Sequence, residues 1–138
     1  MRRRRQGRDN PALVPPKGLK MTGKTALSII ESQLAAAAAS ARLGDFETEF
    51  RHLERAHILA QPSTCQHVRI HWRMLRWAVQ RRDGMELLGQ IPRIFGAALL
   101  TVFGLVPKGN TGGTNVSAFR ALPIPEDLAA LMSQIVRR

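Results

Sequence analysis

After residue 24, apolar residues recur every three to four positions along most of the chain, the period of helices with one buried face. Leu27, Ile30, Leu34, Ala38 and Ala41 predict a first helix over about 25–43. Gly44-Asp45 ends it, because glycine suits a left-handed C-terminal cap and aspartate caps the helix that follows. A second helix is predicted over 46–60, with Phe46, Phe50, Leu53 and His57 within about 60° of arc and Arg51, His52 and Arg55 pointing away. Gln61-Pro62-Ser63 breaks the pattern, since proline cannot continue a helix, and Ser63 or Thr64 can cap the third.

The third helix, over about 64–82, carries its tightest apolar stripe on Val68, Trp72, Leu75 and Val79. His67, His71, Met74 and Ala78 form a second strip beside it, while Ile70 and Trp77 lie opposite. A helix apolar on several sides is packed on several sides, which makes this one the expected centre of the fold, with both tryptophans in the core. Asp83-Gly84 makes the next break. A fourth helix is expected over about 85–103, bent at Pro92, then a Gly/Asn/Thr connector over 108–115 and a Pro123-Ile124-Pro125 corner. A short last helix has Pro125 in its first turn, Glu126 and Asp127 near its N-terminus and Arg137-Arg138 at its C-terminus, as the helix dipole favours.

The fold class is therefore all-α: antiparallel helical hairpins, four main helices and a short C-terminal one, in a single domain over 25–138. Residues 1–24 are rich in Arg, Pro, Gly and Lys, lack an apolar period, and read as a disordered basic tail. Met21-Thr22 is an alternative start.

Charge changes the picture less than its size suggests. Of the formal +11, the eight Lys/Arg and one acidic residue of 1–24 supply +7, leaving +4 for the helical part. A basic tail attracts phosphate in a salt-dependent way without reading sequence, so no specific nucleic-acid partner is implied. Arg69, Arg73 and Arg76 form a stripe on the third helix, expected to pair with Glu31, Glu47 or Glu49 or to stay solvated. The single cysteine, Cys65, excludes an internal disulfide framework and fits a cytoplasmic location. No apolar stretch follows Arg2-Arg3-Arg4-Arg5 before Met21, as an export signal requires. The most apolar segment, residues 94–106, is too short to span a membrane and reads as a buried helix.

Candidate chemistry lies in the histidines. His67 and His71, four residues apart on a helix, share a face and can reach one ion. His57 lies about as far before the Gln61-Pro62 corner as His67 lies after it, so an antiparallel hairpin brings the two to one level. Glu54, about 60° from His57 on its helix, is an optional fourth ligand. Three imidazoles with a carboxylate or an open position suit zinc and other borderline divalent ions. Cys65 projects about 160° away from His67 and is excluded; His52, about 140° from His57, is expected to be solvated. The competing reading is that His57, set in an apolar stripe, is a neutral core residue, with His67 and His71 in packing or surface roles.

The connector over 108–115 lacks the order of a phosphate-binding loop and reads as a tight turn over the core. No serine or cysteine has a visible activating base.

Three strings are distinctive: His52-Leu-Glu-Arg-Ala-His57-Ile-Leu, His67-Val-Arg-Ile-His71-Trp-Arg-Met-Leu-Arg, and Gly109-Asn-Thr-Gly-Gly-Thr-Asn-Val-Ser-Ala-Phe-Arg120. On these the chain resembles a family of short bacterial proteins catalogued only as a domain of unknown function, over roughly 27–131. The resemblance implies no activity; its one functional hint is a tendency to be encoded near heavy-metal efflux or resistance genes. The hairpins are also loosely similar to tetratricopeptide repeats, although Asp45 and Asp83 are thirty-eight residues apart, against the ~34 of that repeat.

The sequence thus points to a non-catalytic, cytoplasmic metal-binding or metal-homeostasis accessory protein. His57, His67 and His71 would hold the ion, with Glu54 as the optional fourth ligand and release below about pH 6 as the imidazoles protonate. The alternative is a helical-hairpin interaction scaffold whose groove or 109–120 loop binds a protein. Metal-dependent hydrolysis at an open position is a third reading, with only Glu54 as a visible base.

Overall fold

The computed structural model describes residues 25–135; the basic tail over 1–24 and the expected terminal Arg137-Arg138 lie outside them. Five helices follow in order: α1 (Ala26–Arg42), α2 (Phe46–Ala60), α3 (Thr64–Arg81), α4 (Gly84–Leu100) and α5 (Glu126–Ser133). Each of the first four starts on a side-chain cap. Thr25, Asp45, Ser63 and Asp83 accept from the amides of Ser28, Thr48, Gln66 and Glu86, satisfying a donor that the helix leaves free.

The two Gly/Asp breaks end their helices differently. Gly44 takes the left-handed conformation (φ 75°) after α1, with the Asp45 amide donating back to the Ser40 carbonyl at 3.0 Å. At the second break the order is reversed, and Gly84 is already the first residue of α4. Arg82 therefore takes the left-handed position (φ 56°), and the Asp83 amide donates to Ala78 at 2.9 Å.

The apolar core joins Ile29, Ile30, Leu34 and Ala37 of α1 to Leu53, Ile58 and Leu59 of α2, Ile70 and Met74 of α3, and Leu128 of α5. Fully burying a side chain of this size stabilises the fold by about 1.5–3 kcal/mol. The centre is α2 rather than the expected α3: five consecutive residues, from Ala56 to Ala60, are buried, which requires neighbours all round. It packs against α1, α3 and α5.

On α3 the buried strip is His67, Ile70, His71, Met74 and Ala78. Of the Val68, Trp72, Leu75, Val79 stripe, Trp72 (56% exposed) and Val79 face outward, while Val68 and Leu75 are half-buried. Trp77 is half-buried, its ring 4.5 Å from that of Phe50. Arg69 pairs with Glu31 of α1, and Arg55 with Asp127 of α5.

The segment expected to be a buried helix is also turned round. The interior side of α4 is taken by Glu86, Gln90 and Ala97, while Leu88, Phe95 and Leu99 are exposed. Pro92 lies within α4 without ending it. The helix stops at Leu100, short of Phe103, because the chain turns at Gly104 (φ 67°) and the Leu105 amide returns to the Leu100 carbonyl at 3.0 Å. Among the described residues, no helix is long and apolar enough to cross a membrane. The connector after α4 folds back along α2 and α4, so the molecule has an apolar layer around α2 and a polar layer between α2, α3, α4 and that connector.

Candidate metal centre

The polar layer holds the three histidines. His57, near the end of α2, and His67 and His71, one turn apart on α3, are each 2–3% exposed. Their Nε2 atoms converge: His57 lies 2.8 Å from His67 and 3.0 Å from His71. One ligand nitrogen from each ring lies within 4.8 Å of those of the other two. The helix spacing and the short α2–α3 turn do place the three rings at one point.

Their far sides are all engaged. Nδ1–H of His57 donates to the Asn110 carbonyl at 2.9 Å. Nδ1–H of His71 donates to Oε1 of Gln90 at 2.6 Å. His67 Nδ1 meets the Thr101 hydroxyl at 2.7 Å. A carbonyl only accepts, so His57 carries its proton on Nδ1. The amide of Gln90 is oriented by donating to the Gly112 carbonyl at 2.9 Å and to the Glu86 carboxylate. That leaves its oxygen for His71, whose proton is therefore also on Nδ1.

In the neutral state the Nε2 atoms of His57 and His71 are bare lone pairs facing each other across 3.0 Å. The third ring supplies at most one proton for the whole cluster. A proton on His67 Nε2 can be donated to His57 at 2.8 Å, a cation at the centre would engage all three nitrogens, and burial disfavours an extra proton. His67 is held down to about 4, chiefly by burial and then by His71. His71 is also held at about 4 by burial, with its bond to Gln90 acting the other way. Burial, then repulsion from the other two rings, keeps His57 well below the ordinary imidazole value. A four-coordinate zinc with bonds of about 2.0–2.1 Å sets its nitrogens roughly 3.3 Å apart, a few tenths of an ångström wider than here.

A second ring of groups holds the imidazoles in place. Glu86, 5% exposed, accepts from the Thr114 amide at 2.9 Å and hydroxyl at 2.6 Å, and from Gln90. Thr114, Glu86, Gln90 and His71 thus form a continuous chain. Asn110 donates to the Ser117 and Arg120 carbonyls at 2.8 and 2.6 Å and accepts from the Gly112 amide at 2.9 Å. Gly112 (φ 83°) lies flat on the His57 ring, where a Cβ would come within 2.7 Å of the ring carbon. Only glycine allows that approach.

Glu54 is not among the converging groups, contrary to the expected fourth ligand. The connector runs along α2 with Gly112 against His57 and Gly113 against Glu54, so this carboxyl faces Thr111 and Asn115, and burial raises its pKa. His52 is half-buried rather than solvated, with its Nδ1 3.0 Å from Gln33 of α1, remote from the cluster. Cys65 is exposed on the outer side of α3. Gln90, Asn110, Thr101 and Gly112 are not singled out by the sequence as site residues; the available signal was the spacing of Glu86, Gln90 and Arg93, a polar line along an otherwise apolar helix.

The comparison with known families matches residues 24–132 to the family described as "Protein of unknown function (DUF3703)". The chain belongs to this family. The match spans the histidines, the Gln90 chain and the glycine-rich connector, so the DUF3703 region contains the whole cluster. No curated protein and no solved structure matches the chain.

Proposed function

We propose that this DUF3703 protein is a non-catalytic metal-binding protein with an accessory role in metal homeostasis, holding a borderline divalent ion, zinc foremost, on His57, His67 and His71. The reading rests on the convergence of the Nε2 lone pairs of His57 and His71 with both Nδ1 protons committed outward. The outer partners support it further, because ligating histidines characteristically donate their second N–H to a carbonyl or carboxylate chain. Neutral imidazoles suit zinc and its neighbours. The lowered pKa values keep the rings unprotonated well below neutrality, which moves proton-driven release from the expected pH 6 toward pH 4. We place this activity in the cytoplasm, where the exposed free Cys65 would persist as a thiol.

The scaffold reading draws on one observation, the exposed Leu88, Phe95 and Leu99 along α4, and it leaves the facing lone pairs without a purpose. Zinc titration by calorimetry, with the His67→Ala/His71→Ala variant alongside and circular dichroism to check its fold, separates the two. The metal reading expects one ion per chain and at least about a hundredfold weaker binding by the variant. Equal or negligible binding by both proteins would leave the scaffold.

A further inference from the structure

The histidine cluster does not close on itself. All three rings line a pocket of about 260 Å³, whose remaining walls include Leu100, Val106, Pro107, Ala118 and Phe119. At about 30 Å³ per water-sized group, this admits a molecule of roughly ten non-hydrogen atoms. Three imidazoles leave a four-coordinate ion one position short, and the pocket lies against all three of them.

Charge decides what the position takes. Three neutral imidazoles leave the full +2 of a divalent ion uncompensated. No carboxylate lines the pocket, and its one charged wall is Arg93. The Arg93 guanidinium is tied to the Gly89 carbonyl at 3.0 Å and the Val116 carbonyl at 2.8 Å, so it contributes a fixed positive charge. Glu86, behind Gln90, offsets part of the Arg93 charge, but its oxygens are held by Gln90 and Thr114 and do not line the pocket. Water can fill such a position, but a divalent ion beside Arg93 favours an anion over water, and an apolar wall favours an anion with a carbon tail.

Resting on the metal reading, we propose that the pocket binds a small organic carboxylate with an apolar tail, its oxygen occupying the fourth coordination position and its tail lying between Leu100, Val106 and Phe119. The head group is ionised at neutral pH, and carboxylate oxygen is an ordinary zinc ligand. Retention of the ion and of the organic anion would then be coupled, each strengthening the other.

The test uses the full chain loaded with Co²⁺, whose visible bands report the ligand set, with benzoate as probe and acetate as the same head without the tail. Benzoate is expected to shift the bands saturably and to bind at least about tenfold more tightly than acetate, since its ring adds several buried carbons. Leu100→Trp, which fills the pocket, should remove that preference while one Co²⁺ per chain still binds. Arg93→Met should weaken both anions. If Co²⁺ binds but benzoate leaves the bands unchanged, or acts no better than acetate, the carboxylate proposal is overturned and the metal reading stands. Absence of Co²⁺ bands would remove both.

Discussion

At the scale of single residues, the site depends on the proton positions of two histidines, which are set by Asn110 and Gln90. Gln90→Leu strips His71 of its acceptor and leaves Glu86 without its amide partner, so zinc affinity should fall about 10–100-fold while the far-UV spectrum stays helical. Gln90→Glu keeps an acceptor for His71 but sets an oxygen against the Glu86 carboxylate and the Gly112 carbonyl, so it should lose affinity as well. Competition with a chromophoric chelator measures both; equal affinity of Gln90→Leu and the parent would show that the outer ring does not orient the ligand. The imidazoles were legible in the sequence because four-residue spacing and a short turn are local geometry. Their partners were not. Gln90 and Asn110 lie 19 and 53 residues from the rings they hold, and no periodicity connects residues that meet only through the return of the connector. Glu54 shows the same limit: its angle on α2 was right, but the Gly112-Gly113 turn that screens it belongs to a distant segment.

At the scale of helices, capping residues fixed where elements start, and the α2 boundaries came out as read, because Asp45 and Pro62 are unambiguous punctuation. Which side of a helix faces inward was less legible. On α3 two adjacent strips were candidates, and the larger apolar residues pointed to the wrong one. The cluster draws His67 and His71 inward, Met74 and Ala78 follow on the same face, and Trp72 and Val79 are turned out. The inversion on α4 has the same origin, since Glu86 and Gln90 must reach the site and the apolar side is left to solvent. Met74→Ala should therefore cost about 2–5 kcal/mol and Trp72→Ala less than about 1 kcal/mol, as urea unfolding would measure. A reversed ranking would restore the stripe read from periodicity.

At the scale of the whole molecule, burying three imidazoles between helices has a consequence for stability. In the unfolded chain they titrate near their ordinary value of about 6.5; in the folded, metal-free protein His67 and His71 titrate at about 4. Between these limits the unfolded chain binds more protons, so stability falls as pH drops from about 6.5 to about 4 and is insensitive to these groups above neutrality. Each histidine contributes about 3 kcal/mol, so the pair should lose up to about 7 kcal/mol, seen as a falling Tm across that window and reduced in the His67→Ala/His71→Ala variant. A Tm independent of pH over the window, or a drop as large in the variant, would contradict the burial argument. The apolar layer around α2 carries the fold, so the polar layer is free to carry a site at the expense of this acid sensitivity.

A metal held by this protein should be shared by three imidazole nitrogens. X-ray absorption at the zinc edge of the loaded protein reads that coordination directly. Three nitrogen scatterers at about 2.0–2.1 Å, with the outer-shell pattern of imidazole rings, is the predicted result. A sulfur scatterer, or fewer than two imidazoles, would place the metal elsewhere and return His57, His67 and His71 to the role of core residues.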